Sequence, residues 1–68
     1  MNVLVNGEPH DLPQDATVAD MLRELDVAPP AAGVAVACNG EVVLRARWTD
    51  QHLAAGDHLE VLHAVQGG

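Results

Sequence analysis

The sequence predicts an α+β fold in which one main helix packs on one face of a mixed sheet of four to five strands. Two Asn-Gly dipeptides each lie between runs of strand-forming residues, one segment has helical apolar spacing, and the last apolar segment alternates as a strand does. A length of 68 residues leaves room for one domain. We place that domain at residues 1–65, followed by a flexible tail at residues 66–68.

The first hairpin is predicted at the start of the chain. Over residues 1–6 one face would carry Met1, Val3 and Val5 and the other would carry both asparagines and Leu4, as in a half-buried strand. Asn6-Gly7 tolerates the positive φ angles of a tight turn, so residues 8–12 should return as an antiparallel partner. Pro9 has no N–H to donate and therefore fits an edge strand.

A helix is predicted next, with Thr17 as its N-cap. Its apolar side chains recur at i, i+3, i+4 and i+7, which places on one stripe Val18, Met21, Leu22 and Leu25. Asp20 follows Thr17 by three residues, so the pair can form a capping box. The helix should end near Asp26, because two consecutive prolines follow, and residues 27–33 should cross back to the sheet.

A second hairpin and a last strand are predicted in the remainder of the chain. Residues 33–38 and 41–45 flank the second Asn-Gly dipeptide and are rich in strand-forming residues. Residues 49–56 are expected to be irregular or to form a short helical turn. The last strand is predicted over residues 58–65, with one face formed by Leu59, Val61, His63 and Val65.

The charge of the chain limits its partners. Ten acidic residues against three arginines give a formal charge of −7, which would repel nucleic acid and anionic membranes. We therefore expect a protein partner with a basic docking surface. No apolar run approaches the roughly 20 residues needed to span a bilayer. The start of the chain also lacks the pattern of a secretory signal, so the expected compartment is the cytoplasm.

The end of the sequence carries the candidate chemistry. Gly67 and Gly68 present a carboxylate on a segment without Cβ atoms, which fits a narrow channel. A carboxylate is a poor electrophile, so its use requires activation, most simply as an acyl adenylate made with ATP. Attack by sulfide or persulfide would then give a thiocarboxylate, and attack by an amine would give a conjugate. The alternative is a frayed terminus, which is common in proteins.

Several segments together carry a family resemblance over nearly the whole chain. They are MNVLVNGE at the start, TVADML at the start of the helix, CNGEVV in the second hairpin, the pair Arg45 and Trp48, the turn Gly56-Asp57, and AVQGG at the end. In their order and spacing they resemble the thiamine-biosynthesis sulfur carrier family, a branch of the ubiquitin-like β-grasp proteins.

The resemblance implies a β-grasp fold with the first and last strands adjacent and parallel at the centre of the sheet. It also implies that an E1-like adenylyltransferase adenylates the terminal glycine with ATP, a cysteine desulfurase or other sulfur donor supplies sulfur, and thiazole synthase takes it up. Gly68 would then be the site of the adenylate and the thiocarboxylate, and Gly67 the spacer that gives access. The chain would be a carrier and co-substrate, not an enzyme, with no catalytic residue, metal or permanently bound cofactor.

Two other functions stay open at this point. One is the small sulfur-carrier subunit of molybdopterin synthase, in which the same thiocarboxylate serves inside a stable enzyme complex. The other is a ubiquitin-like protein modifier or docking module. The sequence contains no lysine, so the chain cannot form isopeptide-linked polymers with itself.

Four kinds of side chain outside the tail could also have functional roles. Cys38 is expected to be a small buried hydrophobe and not a persulfide relay. Trp48 either fills a core gap or anchors an interface. Arg45 and Arg47 either pair with the acidic surface or contact a partner, and we expect the pairing. The four histidines lack metal-site spacing and are expected to be ordinary surface or half-buried residues, at His10, His52, His58 and His63.

Overall fold

A computed structural model of the chain describes residues 1–25 and 33–63. The elements within these ranges are, in order, β1 (Asn2–Val5), β2 (Glu8–Asp11), α1 (Val18–Glu24), β3 (Val34–Cys38), β4 (Glu41–Val43), a 3-10 helix (Arg45–Arg47) and β5 (His58–His63). Most of the predicted crossover at residues 27–33, and the last two residues of the predicted final strand, lie outside the described residues. None of the helices described is long and apolar enough to cross a membrane.

The five strands form one mixed sheet in the order β2-β1-β5-β3-β4. β1 and β5 are parallel, whereas the other neighbouring strands are antiparallel. The predicted α+β fold with a mixed sheet is confirmed. The expectation that the first and last strands lie side by side at the centre of the sheet is also confirmed.

Both Asn-Gly dipeptides form the predicted hairpin turns. The φ angles are 51° and 84° at Asn6 and Gly7, and 51° and 85° at Asn39 and Gly40. Positive φ at both central residues is the geometry that matches the twist of a two-residue hairpin. The first turn places Pro9 in β2, an edge strand, as predicted.

The capping box at the start of α1 is present. The Asp20 N–H donates to Thr17 Oγ1 at 3.2 Å, and the Thr17 N–H donates to Asp20 Oδ2 at 2.9 Å. These bonds satisfy two backbone donors that the first helical turn leaves without partners. α1 ends at Glu24 with Leu25 as its C-cap, close to the predicted end near Asp26.

The core lies between α1 and one face of the sheet. The helix contributes Val18, Met21 and Leu22, and the sheet contributes mainly Val3, Val5, Val36, Leu59 and Val61. Full burial of a valine, leucine or methionine side chain contributes about 1.5–3 kcal/mol. α1 covers one face, and residues 1–25 and 33–63 leave the opposite face of the sheet open.

The second hairpin differs from the prediction at its end. β4 stops at Val43, two residues earlier than predicted, because Leu44 leads into the 3-10 helix Arg45–Arg47. The sequence predicted an irregular stretch or a short helical turn at residues 49–56, and the 3-10 helix lies before that stretch. The turn brings Trp48 back against the core, where it is 8% exposed.

Candidate functional site

The two predicted site residues, Gly67 and Gly68, lie outside the described residues, as do the other residues after position 63. The chain reaches them through β5, whose last residue is His63. The described part of the candidate site is therefore the end of β5 and the surface around it.

β5 is the central strand and is paired on both sides. On one side it pairs with β3 from Cys38 opposite Leu59 to Val34 opposite His63. On the other it pairs with β1, where Val5 lies opposite Leu59. A slip of one residue would move the buried side chains of Leu59 and Val61 to the open face, so burial fixes the register of the strand that leads to the tail.

Asn6 makes a contact with β5 that sequence reasoning missed. Its Oδ1 accepts a hydrogen bond from the Val61 N–H at 2.9 Å, and its Nδ2 donates to the Val61 carbonyl oxygen at 3.1 Å. The local sequence carries no signal of this contact, because a hairpin turn already accounts for asparagine at position 6 and Val61 is 55 residues away.

The open face of the sheet carries exposed apolar side chains beside the end of β5. Leu62 is 64% exposed and lies opposite Ala35, while Val42 is 73% exposed and lies opposite Ala37. Because Ala35 and Ala37 are two apart on β3, all four share this face. Glu60 lies opposite Ala37 from the other side and adds a negative charge. An apolar surface rimmed by charge is a common feature of protein contact sites.

Cys38 is buried, as predicted, with 9% of its surface exposed. Burial raises the pKa of its thiol, and the carboxylates of Asp57 and Glu41 raise it further. A thiol is a nucleophile only as the thiolate. The environment of Cys38 therefore disfavours the reactive form.

The four histidines are spread over the described structure. His10 is half-buried on β2, whereas His52, His58 and His63 are exposed. His52 Nδ1 lies 3.0 Å from the carbonyl oxygen of Asp15. Residues 1–25 and 33–63 contain no group of three or more His, Cys, Asp or Glu side chains placed to hold a metal ion.

Trp48 packs in the core, which decides between its two predicted roles. Its Nε1 donates to the carbonyl oxygen of Val43 at 3.0 Å, and the guanidinium carbon of Arg45 lies 5.7 Å from the centre of its ring, within the range of a cation–π contact. The predicted ion pairs of Arg45 and Arg47 are not found within the described ranges. The side-chain ion pair there joins Arg23 to Asp20 on α1.

Comparison with known proteins identifies one family. The ThiS family model matches residues 3–68. The sulfur carrier protein ThiS of Thermus thermophilus is 39% identical over 66 residues, covering 97% of this chain and 98% of that protein. A thiazole synthase of Magnetococcus marinus is 37% identical over 68 residues, but the chain spans only 20% of its length.

A solved structure shares the whole fold. The crystal structure of the thiamine biosynthesis protein (ThiS) from Geobacter metallireducens aligns with a TM-score of 0.82 at 36% identity. The alignment covers 100% of both chains. The likeness therefore extends over the complete sheet and helix described above.

Proposed function

The chain belongs to the ThiS family, and from this membership we propose that it is a sulfur carrier of thiamine biosynthesis that carries sulfur on the carboxylate of Gly68. The observation that carries the proposal is the match to ThiS proteins over nearly the whole chain in both sequence and fold. The matched region includes Gly67 and Gly68.

The proposed cycle has two steps at Gly68. First, its carboxylate oxygen attacks the α-phosphorus of ATP, pyrophosphate leaves, and an acyl adenylate forms. Second, sulfide attacks the acyl carbon and AMP leaves, which gives the thiocarboxylate. If the donor is a persulfide, the product is an acyl disulfide, and a second thiol must cleave its S–S bond to release the thiocarboxylate.

In this cycle the chain is a co-substrate, and an E1-like adenylyltransferase in the cytoplasm binds the ATP. The position of β5 supports the proposal, because pairing with β3 up to His63 and with β1 at Leu59 holds in place the strand that leads to the tail. The open face supports it as well, since Leu62 lies one residue before the end of β5 and gives a partner an apolar contact there.

Thiazole synthase is the proposed sulfur acceptor. A segment similar to this whole chain forms part of a thiazole synthase in Magnetococcus marinus, so carrier and acceptor are joined in that protein. This arrangement favours thiazole synthase over molybdopterin synthase. A cysteine desulfurase is the proposed source of sulfur.

The intact mass of the chain tests the proposal. The chain is incubated with ATP, sulfide and the E1-like adenylyltransferase of the same organism. We expect one oxygen atom to be exchanged for one sulfur atom. Exchange should fail with an ATP analogue whose α–β bridging oxygen is replaced by methylene, and in a variant that lacks Gly68.

Three other outcomes would contradict the proposal. An unchanged mass under all conditions would remove the carrier function. Amide-linked adducts on other proteins would indicate a modifier, and a stable heterotetramer with a larger subunit would indicate molybdopterin synthase.

A further inference from the structure

The backbone pairing between β1 and β5 ends before β5 does. The register pairs Leu4 with His58 and Val5 with Leu59, and just past β1 the Asn6 N–H donates to the carbonyl oxygen of Leu59 at 2.8 Å. The chain then turns away through Asn6-Gly7 into β2. Val61 lies two residues further along β5, past the paired register, and its N–H and C=O face the same side.

The side chain of Asn6 takes the place of the missing backbone. A carboxamide has one acceptor oxygen and one donor nitrogen, as a peptide unit has. It satisfies the N–H and the C=O of Val61 together, at 2.9 Å and 3.1 Å. The side chain thus continues the hydrogen bonding to β5 past the end of β1. These two bonds hold Val61, which lies two positions before the end of β5.

The asparagine of the other hairpin turn bonds one backbone group of β5, at the opposite end of the strand. The Oδ1 of Asn39 accepts a hydrogen bond from the His58 N–H at 2.9 Å, and its Nδ2 donates to Asp57 Oδ1 at 3.1 Å. Both asparagines have a φ of 51°. A turn asparagine therefore forms hydrogen bonds near each end of β5, at His58 and at Val61. Of the two, Asn6 is the one near the end that leads to residues 64–68.

From this arrangement we propose that Asn6 is a positioning residue that fixes the direction in which β5 delivers the C-terminal glycine to the activating partner. The proposal rests on the proposed function. Group transfer depends on the placement of the reacting atoms to within about 1 Å. Movement at Val61 would displace the end of β5, from which the segment that carries Gly68 starts.

A role in the turn alone does not account for the contact. Glycine adopts the φ angles of this turn at least as readily as asparagine, so the turn itself does not need a carboxamide. Hydrogen bonds to both backbone groups of Val61 are an additional property of the asparagine side chain.

Asn6→Gly and Asn39→Gly are a matched pair of variants. Each keeps the turn, and each removes one carboxamide and two hydrogen bonds at one end of β5. Amide hydrogen exchange measured by NMR needs no partner protein. We expect exchange at Val61 to accelerate about tenfold in Asn6→Gly, whereas in Asn39→Gly the faster exchange should centre on His58.

ATP-dependent charging by the E1-like adenylyltransferase provides the second readout. For Asn6→Gly we expect kcat to fall about tenfold, because the carboxylate is misplaced after binding. KM should stay nearly unchanged, since the docking face is intact. Asn39→Gly should retain the kcat of the wild type, which separates positioning from a general loss of stability.

The two readouts separate failure of this inference from failure of the proposed function. Equal exchange at Val61 in both variants, or equal kcat in both, would overturn the role of Asn6. A wild-type chain that is never charged would overturn the proposed function instead, and the exchange comparison would then decide alone whether Asn6 holds the strand end. Should Asn6→Gly not fold, Asn6→Asp makes the same comparison, since it replaces the donor to the Val61 carbonyl by a charged acceptor.

Discussion

The indole nitrogen of Trp48 donates a hydrogen bond of 3.0 Å to the carbonyl oxygen of Val43, the last residue of β4. The bond is buried and spans the 3-10 helix Arg45–Arg47. The bond holds the end of the β3–β4 hairpin against the core. It explains why β4 is shorter than its sequence predicts.

Trp48→Phe tests this bond. The substitution keeps an aromatic ring but leaves the Val43 oxygen without its partner, so we expect the free energy of unfolding to fall by about 1–3 kcal/mol. The free energy of unfolding is measured by urea denaturation with circular dichroism. Tryptophan fluorescence does not serve here, because Trp48 is the only tryptophan and the variant removes it. Leu44→Ala, at a residue 69% exposed, is the control and should change the free energy of unfolding by about 0.5 kcal/mol or less. An equal fall in the free energy of unfolding in both variants would show that the bond between Trp48 and Val43 does not stabilise the hairpin.

The capping box predicts a dependence of stability on pH. The hydrogen bond from the Thr17 N–H, with smaller contributions from the Thr17 hydroxyl and the Arg23 charge, holds the pKa of Asp20 below its ordinary value of 3.8. A lowered pKa in the folded state stabilises the protein above pH 3.8, and this contribution is lost as the pH falls through the folded-state pKa.

Asp20→Ala should therefore be less stable than the wild type at neutral pH, and the difference should shrink as the pH falls below 3.8. Urea denaturation at a series of pH values measures the difference. Asp50→Ala removes an exposed carboxylate outside the capping box and serves as the control. A difference for Asp20→Ala that grows toward low pH would show that the sign is wrong.

Cys38→Val tests whether the thiol takes part in sulfur transfer. Because the side chain is buried and the pKa of the thiol is raised, we expect the variant to fold and to accept sulfur at the wild-type rate. The thiol of the native wild type should react slowly with a disulfide reagent and rapidly in urea. Loss of sulfur loading in a folded Cys38→Val variant would instead indicate a relay through Cys38.

Leu62→Thr tests the open face as the docking surface. Threonine keeps the strand preference of the position but removes apolar contact area. We expect KM for charging to rise several-fold, with the free energy of unfolding changed by about 0.5 kcal/mol or less, because Leu62 is 64% exposed. Leu44→Thr is the matched control, since Leu44 is similarly exposed but lies outside the strands. Equal KM values for the two variants would exclude docking through Leu62.

The local features of the fold could be predicted because each depends on a few neighbouring residues. Positive φ at Asn6-Gly7 and Asn39-Gly40 follows from the residue types, and so does the capping box of Thr17. The alternation of β5 indicates which side chains face the core, as the burial of Leu59 and Val61 confirms.

The features that were missed depend on contacts between distant parts of the chain. The bond between Asn6 and Val61 requires that β1 lie beside β5, and no local pattern specifies that register. The early end of β4 depends on where Trp48 packs. The apolar open face beside the end of β5 needs the alignment of Leu62 with Ala35, which the alternation of a single strand does not give.

The position of the transferred sulfur tests the central claim most directly. After ATP-dependent loading, the chain is fragmented in a mass spectrometer and the sulfur is assigned to a residue. The account predicts that the added sulfur appears in the C-terminal fragment, on Gly68, in both the wild type and Cys38→Val. Sulfur bound as a persulfide to Cys38, with Gly68 unchanged, would contradict it.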